Sequence, residues 1–177
     1  MIDAARIEKA ETLKNGMTVK VRSIRTDDKK RVVEAFQNLE AESIYTRFFH
    51  AKKALTDADL KAATEVDFQN VVALVVTTAE GTKEVIIGGG RYVVMLDSSS
   101  LPSAEVAFLV EEDFHGQGIA GRLLKHLAGI AREKGIKRLV AEVLPGNKAM
   151  LTVFARSGFP MKKHLEVGVM QISLLLE

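Results

Sequence analysis

The chain of 177 residues contains no cysteine. That removes a thiol nucleophile, a disulfide framework and a cysteine-ligated zinc site, and it is compatible with a cytoplasmic location. Charge of one sign is not in excess either: 25 basic and 23 acidic residues leave a formal net charge of +2. With no basic tract carrying interleaved aromatics, neither RNA nor DNA is an expected partner. Long apolar runs are missing. Residues 71–76 form one of the longest, far short of a bilayer span, and residues 1–11 lack the apolar core of a signal peptide. No membrane partner is expected. What remains is a chain 47% hydrophobic and 27% charged, the composition of one ordinary globular domain over residues 1–177. A monomer and a homodimer are both compatible with it.

The pattern along the chain predicts an α/β fold. Residues 3–13 read as a short helical lead-in ended by Asn15-Gly16. Residues 17–24 alternate, with Val19 and Val21 against Thr18, Lys20 and Arg22, and read as a half-buried strand. Thr26-Asp27-Asp28 supplies capping chemistry for a helix over 29–39, and a second helical piece covers 43–49. Thr56, with Asp59 three positions on, has the form of a capping box. From Asn70 the texture becomes β-branched, and 71–78 with 83–96 read as an antiparallel hairpin about Glu80-Gly81. A polar loop at 97–103 leads to a strand at 104–110. A helix at 119–134 follows, with Ile119, Leu123, Leu127, Ile130 and Ala131 on one stripe and Gly135 at its C-terminal cap. A strand at 138–143, a helix at 147–157 and a strand at 167–175 complete the chain. Antiparallel strands first, then strand–helix–strand, argue for a mixed sheet with helices packed on it.

The most informative stretch is Val110-Glu111-Glu112-Asp113-Phe114-His115-Gly116-Gln117-Gly118-Ile119-Ala120-Gly121. It joins a strand to a helix through glycines, and bare backbone N–H groups at a helix N-terminus suit a pyrophosphate. Two phosphate ligands compete. Gly116, Gly118 and Gly121 satisfy G-x-G-x-x-G, with Glu142 placed for a ribose, as in dinucleotide-binding folds. In that motif the strand runs almost directly into the first glycine, whereas Glu111 to His115 intervene here. About 60 residues follow, too few for the rest of a doubly wound sheet.

The same stretch fits Q/R-x-x-G-x-G/A, with His115, Gly118 and Ala120 at the signature positions, and so resembles the acyl-CoA loop of the GNAT superfamily. Glu105-Val106-Ala107-Phe108-Leu109-Val110 looks like that family's fourth strand, and Asn147 followed by Gly158-Phe159 like its N…GF ending. Two further segments, Glu42-Ser43-Ile44-Tyr45-Thr46-Arg47-Phe48-Phe49 and Glu166-Val167-Gly168-Val169, are similar to segments of bacterial protein-lysine acetyltransferases. The resemblance implies a mixed, mostly antiparallel sheet, splayed between the strands at 104–110 and 138–143, with helices on both faces. It implies direct transfer of acetyl from acetyl-CoA to an amine, preferably a protein lysine. A small-molecule amine or a protein N-terminus is the alternative acceptor, and a non-catalytic acyl-CoA sensor the alternative of another class.

The residues agree with direct transfer. There is no G-x-S-x-G elbow and no evident serine–histidine pair. A free lysine with pKa near 10.4 is protonated about a thousandfold over at neutral pH, a deficit of about 4 kcal/mol that a base and a desolvated channel would address. Glu105 is the candidate base. By strand parity it shares a face with Ala107 and Leu109, and a carboxylate in an otherwise apolar strand is an expensive placement. The protein-lysine acetyltransferases resembled carry their catalytic glutamate at this position. Glu111 and Glu112 read as solvated loop residues.

For the cofactor, the backbone of Leu109 and Val110 would pair with pantetheine. Gly116, Gly118 and Ala120, with Gln117, Ile119 and Gly121 beside them, would hold the pyrophosphate. His115 would touch phosphate, and Arg122 either adds charge there or is a solvated helix arginine. Asn147 either contacts pantetheine or caps its own helix. Phe154 stands seven residues after Asn147, where many GNAT enzymes place the tyrosine that protonates the departing thiolate. Tyr45 and Tyr92 are the chain's two phenols. Tyr45, Arg47, Phe48 and Phe49 either line the acceptor channel or form the packed stripe of an amphipathic helix. His50, His126 and His164 lie too far apart to suggest a metal site, and no metal is expected.

Overall fold

The computed structural model describes residues 1–48, 52–97 and 101–177. Its strands are β1 (Glu8–Thr12), β2 (Thr18–Ser23), β3 (Val71–Glu80), β4 (Lys83–Val94), β5 (Ser103–Val110), β6 (Arg138–Val143), β7 (Met161–Glu166) and β8 (Val169–Leu175). They form one sheet in the order β1-β2-β3-β4-β5-β6-β8-β7. Every neighbouring pair is antiparallel except β5 with β6. The helices are α1 (Lys29–Gln37), α2 (Ala41–Phe48), α3 (Asp57–Thr64), α4 (Ile119–Glu133) and α5 (Lys148–Ala155).

Helices cover both faces, and the central strand shows why its sequence is apolar almost throughout. Along β3, Val72, Leu74 and Val76 enter a core with Leu123, Leu124 and Leu127 of α4. The alternate residues Ala73 and Val75 meet Val32 and Ala35 of α1. A strand buried on both sides loses its polar alternation. Each large aliphatic side chain so buried is worth about 1.5–3 kcal/mol. Gly90 of β4 serves the larger core directly: a Cβ there would lie 2.7 Å from Phe108 Cδ1, so its absence admits the Phe108 ring. The capping box at α3 forms as its sequence predicts, Thr56 Oγ1 accepting from Asp59 N–H at 3.1 Å and Asp59 Oδ2 from Thr56 N–H at 2.9 Å.

Two expectations need correction, and one strand was not expected. Residues 3–13 are not a helical lead-in: a 3-10 turn at Ala4–Arg6 gives way to β1, which pairs with β2 from Glu8↔Arg22 to Thr12↔Thr18. A sheet edge is available to that segment, and ladder hydrogen bonds outweigh its weak helical preference. β7, a segment to which the sequence pattern assigns no element, is a polar edge strand whose exposed lysines hide the strand signal. Arg22, grouped with the solvated face of its strand, is 2% exposed. It donates from Nη1 and Nη2 to Asp28 at 2.8 and 2.7 Å and from Nη2 and Nε to Glu84 at 3.1 and 3.2 Å. Of the predicted segments, Phe49, His50 and residues 98–100 lie outside the described residues.

The feature that matters most for function is where β5 and β6 part. They pair only through Ser103↔Arg138, Ala104↔Leu139 and Glu105↔Val140. Beyond that point β5 stays with β4 as far as Gly88↔Val110, while β6 stays with β8 as far as Val143↔Met170. The sheet is splayed there, as the resemblance implies, and the distal half of β5 keeps a free edge.

Candidate active site

A cleft of about 1710 Å³ occupies the gap. Its walls are residues Val106 to Val110 of β5, the glycine loop, the first turns of α4, the end of β6, α5, and one side of α2. Two glycines in the left-handed region shape the loop, Gly116 at φ +77° and Gly118 at φ +85°. Among the described residues, the N–H groups of Gly116, Gln117, Gly118, Ile119, Ala120 and Gly121 meet no protein acceptor. Six consecutive donors at the N-terminus of a 15-residue helix form an anion site in which dipole and hydrogen bonds act together.

The loop is held from behind. Gln117 Oε1 accepts from Asn15 N–H at 3.0 Å, tying it to the β1–β2 turn. Arg122 Nη1 donates to the Gln117 and Gly118 carbonyls, both at 3.2 Å, and Nη2 to the Thr12 carbonyl at 2.7 Å. Its Nε pairs with Glu11 at 3.2 Å, and the same carboxylate meets His126. Arg122 therefore points away from the cleft and braces the carbonyl side of the loop against β1. His115 Nε2 lies 2.7 Å from the Val110 carbonyl. Only a ring N–H makes that bond, so the partner fixes the tautomer.

Of the other predicted residues, Leu109, Val110, His115, Asn147, Phe154, Tyr45 and Arg47 line the cleft. Gln117, Arg122, Glu105 and Phe48 do not. Asn147 caps α5, its Oδ1 accepting from Met150 N–H at 3.2 Å. Phe154 is 1% exposed and packs on Phe108 with ring centroids 6.1 Å apart. Phe48 packs edge-on against Phe36 at 6.4 Å, and the Arg47 guanidinium lies 5.0 Å from its ring. Glu105 is exposed on β5, two residues before Ala107, which does line the cleft. Burial and the neighbouring Arg91 hold Arg47 below the ordinary guanidinium range, with Glu105 opposing them.

Two readings of single residues change. Tyr92, the second phenol, is fully buried in the core, and among the described residues its hydroxyl has no hydrogen-bond partner. Burial pushes it up to about 12. Nor is Glu112 a solvated loop residue. Its Oε1 accepts from Glu40 N–H at 3.1 Å, which joins the loop to the start of α2, and its Oε2 is buried and, among the described residues, without a partner. Glu111 is half-buried as well, its carboxyl pushed up by burial and by the charges of Asp113, Glu112 and Glu80. Sequence reasoning missed the basic side chains that line the cleft, among them Lys14, Lys125, Lys148 and Arg156. They come from three separated segments, the β1–β2 turn, α4 and α5 with its cap, and only the fold brings them together.

A mostly antiparallel sheet with one parallel, splayed pair has no place for the dinucleotide alternative, which needs a parallel doubly wound sheet. A splayed sheet with an open strand edge and an anion loop at its cleft defines the acyltransferase class. The chain belongs to the acetyltransferase (GNAT) family, whose family model matches residues 34–159. It is similar to the GNAT domain of S. lividans PAT, at 37% identity and a TM-score of 0.85, covering 96% of this chain and 97% of that one. An acetyltransferase of Pseudomonas aeruginosa is 26% identical over 149 residues, 84% of this chain and 78% of its own. Acetyltransferase Pat of Mycolicibacterium smegmatis is 32% identical over 138 residues, 78% of this chain. The chain spans only 40% of that relative's length.

Proposed function

We propose that the chain moves acetyl from acetyl-CoA directly to an amine, preferably a protein lysine side chain, with Glu105 as general base. The observation that carries this reading is the run of six N–H donors from Gly116 to Gly121, unpaired among the described residues, beside the open edge of β5. A coenzyme A pyrophosphate matches the donors, and the pantetheine arm matches a strand edge that would otherwise leave backbone groups without partners. His115 would hold the loop to Val110 while its exposed ring borders the phosphates. Lys14, Lys125, Lys148 and Arg156 would balance the remaining charge of the nucleotide.

Bound acetyl-CoA supplies the electrophile, a thioester carbonyl carbon. The amine forms the new C–N bond, the C–S bond breaks, and the amine's surplus proton passes to the Glu105 carboxylate. Glu105 lies in β5 just before Val106, where the cleft wall begins, so a base there would serve the acceptor end of the cleft rather than the cofactor end. Phe154 has no proton to give. Tyr45 is the phenol that lines the cleft and is the candidate donor to the departing thiolate. The preference for protein lysine rests on the 42–49 segment and on similarity to relatives named PAT and Pat.

Thermal unfolding with acetyl-CoA, CoA and NAD added separately tests the cofactor. A ligand at a hundredfold excess over its Kd stabilises by about 2.7 kcal/mol, so acetyl-CoA should raise Tm and NAD should not. No shift with millimolar acetyl-CoA would remove the reading. Glu105→Gln should keep that shift while turnover falls about 10²–10⁴-fold; unchanged turnover excludes Glu105. Lysine proteins assayed against polyamines decide the acceptor, and a polyamine preference would remove protein lysine.

A further inference from the structure

We infer that Arg47 and Arg91 form an anion recess beside Glu105, and that the acceptor presents a carboxylate next to its reacting amine. The inference rests on the transfer reading above and narrows its substrate class. In the β4–β5 register Arg91 stands opposite Ala107 and Val93 opposite Glu105. Directly opposed residues share a face, so Arg91 and Glu105 are diagonal neighbours, with Cα atoms roughly 7–8 Å apart. Arg47 comes down onto this region from the last turn of α2 and lines the cleft.

Both guanidiniums are half-buried, yet no carboxylate lies within ion-pair distance of either among the described residues. Among the described residues, the Arg47 guanidinium lies over the Phe48 ring and not against a carboxylate. Other arginines of the fold behave differently: Arg22 of β2 pairs with Asp28 and Glu84, Arg31 of α1 with Asp28, and Arg122 of α4 with Glu11. A guanidinium withdrawn from water normally finds an acceptor, because leaving its N–H groups unmet is costly. Two such cations beside one carboxylate leave a net positive recess. A bare alkylammonium would be repelled by it, whereas an amine with an adjacent carboxylate would bring the missing anion. That carboxylate belongs either to an acidic residue flanking the target lysine or to the α-carboxyl of a free amino-acid acceptor.

The test measures initial rates on lysine peptides whose flanking residues are Asp, Ala or Arg, and on Nα-acetyl-lysine against its amide. The enzymes are wild type, Arg47→Gln, Arg91→Gln and the charge-keeping Arg91→Lys, each first checked for its acetyl-CoA thermal shift. Acidic flanks should raise kcat/KM about tenfold over alanine, the size of one charged hydrogen bond. Both glutamine variants should erase that ratio with the acetyl-CoA shift intact, and Arg91→Lys should keep part of it. A preference confined to the free acid over the amide assigns the carboxylate to a small acceptor, and one confined to the peptides assigns it to a protein. Equal rates with acidic and neutral flanks, or a ratio that survives in both glutamine variants, overturn the recess alone. No turnover with any acceptor despite an intact shift overturns the transfer reading, and the recess with it.

Discussion

Replacing Gly118 by alanine tests the anion loop at the residue that shapes it. Gly118 has φ +85°, and an added Cβ would lie 2.5 Å from Arg122 Nη1. The backbone contribution is the cost of an L-residue in the left-handed region, about 1–2 kcal/mol. The Arg122 guanidinium is the far end of a flexible side chain, so it would swing aside rather than push the backbone. Doing so gives up its bonds to the Gln117 and Gly118 carbonyls, worth about 1 kcal/mol together at a partly exposed site. The sum is about 2–3 kcal/mol, which for this chain length lowers Tm by about 4–12 °C. Thermal unfolding measures it in a double-mutant cycle with Arg122→Ala. In the Arg122→Ala background the clash is gone and the cost of Gly118→Ala should drop to the backbone part alone. The acetyl-CoA shift should shrink in both backgrounds, since the donors move with the loop. An equal cost with and without Arg122, or a loss below 1 kcal/mol, would refute the reasoning.

The buried cluster on the far side of β4 gives two more predictions. Arg22→Met leaves the fully buried Asp28 without its bidentate partner, which costs about 3–5 kcal/mol; in urea unfolding Arg22→Met/Asp28→Leu should regain most of that, and a single variant as stable as wild type would show the pair to be unimportant. Burial opposes ionisation of Asp28, but hydrogen bonds from Arg22 and the Arg25 N–H prevail and hold its carboxyl below the usual range, and Arg22 does the same for Glu84. Both contributions are complete above the unfolded carboxylate range near pH 4 and are lost as pH falls through the lower folded values. Tm should therefore drop steeply below about pH 4, and the slope should be shallower in Asp28→Asn; parallel slopes would contradict the assignment.

Elements whose own residues carry the structural signal were legible. The capping box at Thr56 is local chemistry, and the β-branched runs of β3 and β4 register burial on both faces. α4 was legible because its apolar period and Gly135 both act within one helix. β1 and β7 were not, because each is a short polar strand that exists only by pairing with a neighbour distant from its own side-chain pattern. Arg22 failed for a related reason. Strand parity puts it on the face away from Val19 and Val21, but parity does not say whether that face is water or a second helix layer carrying Asp28.

The same distinction divides the candidate site. The glycine loop was readable because left-handed backbone and a bare helix start are properties of consecutive residues. Its braces were not: in sequence Arg122 reads equally as a phosphate ligand or a solvated helix arginine, yet β1 lies on the opposite side of the loop and supplies Glu11 and the Thr12 carbonyl. Glu112 shows the reverse case, a residue dismissed as solvated that links the loop to α2 through the Glu40 N–H. That link has a physical consequence. Tyr45 and Arg47, proposed to face the acceptor, stand on α2, the helix whose start Glu112 ties to the loop. The glycine loop and α2 are thereby joined through a hydrogen bond accepted by a carboxylate whose other oxygen is buried and, among the described residues, meets no partner.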